Sequence, residues 1–138
     1  MTAVLGATWQ VGDVVGPLAV GTVTRTTLAL FAGGSGDHNE IHLDLEVARA
    51  AGMDDVFAQG MLGMAHLGRL LTDAFGPHAV RSFSTRFTAI TPVNARPVCT
   101  GTVVAVEDGL LTLDLSVALA DGTVTLAGTA TVSLGVQQ

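Results

Sequence analysis

LTLDLSVALADGTVTLAGTATVSL, residues 111–134, decides the fold class. Leu111, Leu113, Leu115, Val117 and Leu119 alternate with Thr112, Asp114, Ser116 and Ala118. Beyond Asp121-Gly122, Val124, Leu126, Ala130, Val132 and Leu134 alternate with Thr123, Thr125, Thr129, Thr131 and Ser133. A period of two over such lengths marks strands with one face in a core and one in water. Asp-Gly supplies the positive φ angles of a two-residue hairpin turn, so the two strands run antiparallel. Upstream, Asp108-Gly109 separates this pair from the run Val98–Val106, and Phe83, Phe87 and Ala89 share a face of Arg81–Ile90. The sequence therefore predicts four consecutive strands of an antiparallel meander between about 80 and 134. Thr91-Pro92 through Arg96-Pro97 is a loop, because proline donates no ladder hydrogen bond.

The first half reads differently. A strand is expected near Val20–Leu30 and a short helix over Asp44–Ala51, with Asp44 as N-cap and Gly52 as its stop. Gly60–Phe75 carries Met61, Leu62, Met64, Leu67, Leu70, Leu71 and Phe75, a helix apolar enough to be largely buried, whose glycines admit a sheet close to the backbone. The layout is α+β, one long central helix wrapped by a curved antiparallel sheet, as a single domain over 1–138.

Composition narrows the function. Thirteen per cent of the 138 residues are charged and the net charge is −6, with arginine as the one cationic side chain type. No basic cluster exists, so nucleic acid is not expected as a partner. No apolar run reaches transmembrane length, and MTAVLGATWQ lacks the basic region and apolar core of a secretory signal, so a soluble, cytoplasmic protein without a membrane partner is expected. Cys99, the single cysteine, has no partner in the chain and reads as a small buried apolar residue. The apolar excess points to self-association.

The chemistry concentrates in SGDHNEIH, residues 35–42. Asp37 and Asn39 are suited to closing turns with their side chains among Gly33, Gly34, Ser35 and Gly36, where positive φ and a tight turn are expected. Metal binding fits poorly: the glycine and distant glutamate of a calcium loop are missing, and His38 and His42 lack the order of a helical zinc motif. Acid–base chemistry is the other reading, one carboxylate and one imidazole exchanging protons with water and carbon. It gains weight from Ala58-Gln59-Gly60-Met61-Leu62, where free N–H groups at a helix start suit a developing oxyanion.

The stretches FAGGSGDHNEIHLD and AGMDDVFAQGMLGMAHLGRLL, with RFTAITPV after them, resemble the hydratase motif of the MaoC-like dehydratases, the R-specific enoyl-CoA hydratases and R-3-hydroxyacyl-ACP dehydratases. The resemblance spans about residues 10–134. It implies the hotdog fold and reversible syn hydration of trans-2-enoyl thioesters. It implies Asp37 and His42 as the catalytic pair, Gly60 as the main-chain donor to the thioester oxygen, and Asn39 as a positioner of the pair or its water; Ser35 and Gln59 beside them are candidates for positioning the substrate. Arg81, Arg86 and Arg96 are candidates for the phosphates of coenzyme A or phosphopantetheine, which belong to the substrate; no metal or redox cofactor is implied. The implied partners are an acyl-CoA or acyl-ACP substrate and a second hotdog chain, in a homodimer or a heterodimer. Glu40 stands where the motif has proline, Gln59 where it has histidine, and Phe31 where tyrosine is common. Glu40 is expected to loosen its turn. A non-catalytic acyl-thioester-binding or scaffolding subunit and a hotdog thioesterase are the competing functions.

Overall fold

The computed structural model describes residues 8–135, so both ends of the domain expected over 1–138 lie outside the described residues. Strands β1 (Val14–Ala19), β2 (Val80–Phe87), β3 (Val98–Glu107), β4 (Leu110–Ala118) and β5 (Val124–Ser133) form one sheet in the order β1-β3-β4-β5-β2, antiparallel throughout. Helices α1 (Arg25–Ser35), α2 (Leu45–Ala50) and α3 (Gly60–Phe75) precede β2, with 3₁₀ turns at Glu40–His42 and Pro77–Ala79. No helix among the described residues is long and apolar enough to cross a membrane.

Both Asp-Gly turns form as their chemistry requires. Asp108 and Gly109 take φ of 51° and 75°, and Gly122 takes 89° while the Asp121 carboxylate accepts the Thr123 N–H at 2.9 Å. The meander, however, has three strands rather than four. β2 pairs with β5, not with β3, through seven matched positions from Val80 to Phe87. Residues 88–97 instead cross beneath the first half, where Asn94 N–H reaches Val23 O at 2.7 Å and Ala58 N–H reaches Thr91 O at 2.9 Å. No two-residue hairpin signal lies between β2 and β3, so sequence order alone suggested their pairing. Thr125, expected in the outward polar row, is buried, because a register shift after Val117 turns it inward and its hydroxyl donates to Val117 O at 3.4 Å.

The strand expected over Val20–Leu30 is absent. Thr24 accepts the Thr27 N–H at 3.1 Å and starts α1, which buries Leu28 and Ala32 one turn apart. A run of threonine and valine carries strand propensity, and the cap and the buried stripe override it. The first strand lies earlier, at Val14–Ala19, where Gly16-Pro17 and a register shift break the alternation. Gly33 and Gly34, expected in a tight turn, are helical, and only Gly36 turns left-handed, at φ 83°. α2 follows expectation, with the Asp44 carboxylate accepting from Glu46 and Val47 N–H groups.

α3 is buried along one face only. Leu67, Leu70 and Leu71 are 0–4% exposed against Val103, Leu111, Leu113 and Val132 of the sheet, whereas Met61 is 53% exposed. Each such leucine contributes roughly 1.5–3 kcal/mol by leaving water. Cys99 sits in this core, where burial pushes its thiol up to about 11. A second, smaller core of Val23, Leu28, Ala48, Val56, Ala58, Leu62 and Val93 joins all three helices to the crossing loop.

Two glycines mark opposite demands. A Cβ on Gly128 would fall on the Ser84 carbonyl oxygen, whereas nothing lies within 4 Å of one on Gly33. Gly128→Ala is expected to cost about 1–3 kcal/mol, and Gly33→Ala to add up to about 1 kcal/mol through helix propensity. Urea unfolding midpoints at unchanged slope test both.

Candidate active site

The left-handed residue Gly36 ends α1 and turns the chain so that Asp37 leaves the helix toward the start of α3. A relay of short-range bonds then fixes the next five residues. Asp37 N–H donates to Ser35 Oγ at 3.1 Å, Asn39 N–H to Asp37 Oδ1 at 3.3 Å, and Ile41 N–H to Asn39 Oδ1 at 3.2 Å. His42 N–H closes the 3₁₀ turn on Asn39 O at 3.1 Å. The turn that Glu40 is expected to loosen is closed, since its carbonyl accepts Asp44 N–H at 2.7 Å. Asp37 and Asn39 thus do close turns, and doing so occupies one oxygen of Asp37 and leaves the other free.

That free oxygen faces His42. Asp37 Oδ2 lies 3.7 Å from His42 Nε2, with side-chain exposures of 42% and 9%. The separation is too long for a direct hydrogen bond and lets one oxygen atom, seated beside the pair, touch both groups. On the other side of the ring, Nδ1 lies 2.7 Å from the carbonyl oxygen of Phe57. A carbonyl only accepts, so Nδ1 carries a proton and the neutral ring presents its Nε2 lone pair to Asp37 and the cleft. The Phe57 ring stands edge-on to the imidazole, centroids 5.0 Å apart.

Gly60 opens α3, and the first N–H groups of a helix have no carbonyl one turn back. Gln59, the N-cap, makes no side-chain capping bond. Gly60 and His42 line one cavity of about 300 Å³ with Phe57, Phe87, Ile90 and Leu126. Asp37 lines an adjacent one of about 470 Å³ with Phe31, Ser35, Met61, Met64 and Phe83. Consecutive residues of α3, and Phe83 and Phe87 of β2, thus front the two spaces, which flank the first turns of α3. Both are walled by apolar side chains, with Asp37 and His42 as the titratable groups.

The other expected site residues are placed as follows. Gln59 is 1% exposed and turned away from the cleft, its Nε2 donating to Leu28 O at 3.0 Å, so it reaches a substrate only through the backbone it holds. Arg81, Arg86 and Arg96 are exposed and line neither cavity; Arg81 donates to His78 O and Arg96 to Thr22 Oγ1. His66 of α3, which is not among the expected site residues, lines neither cavity, and burial, reinforced by the Arg69 guanidinium, lowers its pKa. Among the described residues no group of His, Cys, Asp or Glu converges as a metal ion would need. Sequence reading missed Phe57, because its contribution is a main-chain oxygen that any residue type would supply.

Arg25, at the start of α1, pairs with Asp55 at 2.7 Å and ties that helix to the loop before α3. The Arg25 hydrogen bond, then the Val56 N–H, hold the Asp55 carboxyl below its ordinary 3.8. A folded-state pKa below the unfolded one adds stability above the unfolded value and loses it as pH falls through the folded one. The difference in unfolding midpoint between the native chain and Asp55→Asn is expected at neutral pH and should vanish in acid, below 3.8.

Residues 9–127 match the model of a family described as MaoC like domain. The 3-hydroxyacyl-thioester dehydratase Z of Mycobacterium tuberculosis H37Rv is 34% identical over 103 residues, covering 70% of this chain and 68% of that protein. Among solved structures, the ChsH1–ChsH2 complex of Mycobacterium tuberculosis superposes with a TM-score of 0.82 at 25% identity, covering 91% of this chain and 98% of the other. The R-hydratase PhaJ1 of Pseudomonas aeruginosa gives 0.82 at 23% identity, over 91% of this chain and 81% of that one, a likeness of fold.

Proposed function

Because the chain belongs to the MaoC-like domain family, we propose that it adds water reversibly across the C2=C3 bond of a trans-2-enoyl thioester, giving the R-3-hydroxyacyl thioester. The observation that carries the reading is the 3.7 Å gap between Asp37 Oδ2 and His42 Nε2, with the imidazole tautomer fixed by Phe57 O at 2.7 Å. Its relative, the 3-hydroxyacyl-thioester dehydratase Z, carries a name of the same chemistry.

In the hydration direction the pair starts as carboxylate and imidazolium. Asp37 takes a proton from a water held in the gap, and the water oxygen bonds to C3. The π electrons move to C2 and the thioester oxygen, where Gly60 N–H holds the negative charge. His42 Nε2–H then delivers its proton to C2 and the carbonyl reforms, leaving a protonated Asp37 and a neutral His42. Dehydration runs the same steps backward: the free Nε2 lone pair removes the C2 proton and the Asp37 carboxylic acid protonates the departing hydroxyl. The two groups, 3.7 Å apart, can reach the same face of one planar enoyl group, which supports syn addition. Two proton transfers and a polarised carbonyl involve no net change of oxidation state, so the substrate's coenzyme A or phosphopantetheine is a handle rather than a redox partner.

The acyl group fits the apolar space of Phe31, Met61, Met64 and Phe83. Coenzyme A suits a chain of net charge −6 better than an acidic carrier protein does. Its phosphates would meet the surface, where Arg86 and Arg96 have no carboxylate partner among the described residues. We further place the enzyme in the cytoplasm as a pair of hotdog chains, identical or not. β2 is an edge strand, and Phe87 at its end and Ile90 just beyond it are 55% and 46% exposed.

Crotonyl-CoA tests the reading. Hydration removes the enoyl absorbance and releases no thiol; thiol release would mean a thioesterase, and no change a binding subunit. Asp37→Asn and His42→Ala are each expected to lower kcat by at least ~10²-fold with the unfolding midpoint kept, and near-normal turnover in either would refute the assigned roles.

A further inference from the structure

Gln59 is the N-cap of α3, yet its side chain leaves the first-turn N–H groups alone and runs inward. It is 1% exposed inside the smaller core, where Nε2 donates to the Leu28 carbonyl of α1 at 3.0 Å and Oε1 is buried with no hydrogen-bond partner. A carbonyl facing a carbonyl would repel, so this amide orientation is the one the site enforces. An unmet buried acceptor is unfavourable. An apolar side chain of equal length would avoid that penalty, and Leu28 O, as an interior helix carbonyl, would still have the helix ladder. Fold stability therefore does not explain the amide.

Its location does. α1 ends at Gly36 and launches Asp37, while α3 begins at Gly60, the residue bonded to Gln59. A direct side-chain hydrogen bond thus links the helix that leads into Asp37 to the helix start that carries the oxyanion donor. The packing around it, Val56, Ala58 and Leu62, is non-directional and tolerates sliding. We propose that Gln59 is a positioning residue: its Nε2–H···O bond to Leu28 sets where the Gly60 N–H stands relative to Asp37 and His42. Turning inward rather than capping, Gln59 also leaves the first amides of α3 open for the thioester oxygen.

The inference rests on the hydratase reading, and kinetics with crotonyl-CoA separate the two. Gln59→Met is expected to keep or raise Tm while kcat falls about 10- to 100-fold with KM little changed, because a displaced donor is felt mainly in the transition state. Gln59→His, which retains an N–H able to reach Leu28 O, is expected to retain most of kcat. A residue that merely supported the fold would give the reverse for methionine, a lower Tm with kcat per folded molecule unchanged, and that result overturns the proposal. So does a folded histidine variant as slow as the methionine one; should the methionine chain not fold, the histidine variant decides alone. If the native chain hydrates crotonyl-CoA and Gln59→Met matches it, only the positioning role falls; if the native chain does not hydrate it, both fall.

Discussion

With the Phe57 carbonyl oxygen 2.7 Å from Nδ1, His42 has one neutral tautomer open to it, and the lone pair of that tautomer faces Asp37. Everything the site can do follows from that single main-chain contact. A flipped ring would lose the bond to Phe57 O and turn a C–H edge toward Asp37 in place of the nitrogen. The contact in turn requires residues 42 and 57, fifteen apart in the chain, to be held within a hydrogen bond's length. Short-range bonding from Ser35 to His42 fixes one end, and the pairing of Ala58 with Thr91 fixes the other.

The two cores divide the labour. The larger one, leucines of α3 against β3, β4 and β5, makes the sheet wrap the helix and holds most of the buried apolar residues. The smaller one is built from single residues of many segments: Val23, Leu28, Ala48, Val56, Ala58, Leu62 and Val93. Three of its members, Val56, Ala58 and Leu62, flank Phe57 and Gly60 in the chain. Cores of this kind tolerate apolar exchange while total volume is kept, but they define position less sharply than a hydrogen bond does. The polar ties inside and beside it, Gln59 to Leu28 and Arg25 to Asp55, add the directional contacts that this packing lacks.

Glycine in α3 has the same logic. A Cβ on Gly60 would stand 3.0 Å from the Phe87 ring and one on Gly63 2.7 Å from Leu126 Cδ1. The helix gives up propensity at these positions so that β2 and β5 can approach its backbone. That approach brings Phe83 and Phe87 to the cavity walls beside the residues that carry the reactive groups.

The sequence by itself determined the elements whose signals are local. Alternation and Asp-Gly turns defined β3, β4 and β5; Asp44 and Gly52 bounded α2; the apolar run 60–75 defined α3; and the cluster of Asp37, Asn39 and His42 singled out the candidate site. Tertiary structure decided the rest. β2 joined β5 because the free edge of β5 and the face of α3 selected it, a choice that no residue between 88 and 97 encodes. The segment 25–35 became helix because a Thr24 cap and the burial of Leu28 and Ala32 outweighed β-branched propensity. Gln59 turned inward because its partner, Leu28 O, lies thirty-one residues away. Local patterns are written in adjacent side chains, whereas partners brought together by chain crossing, above all main-chain carbonyls, leave no mark on the residues that use them.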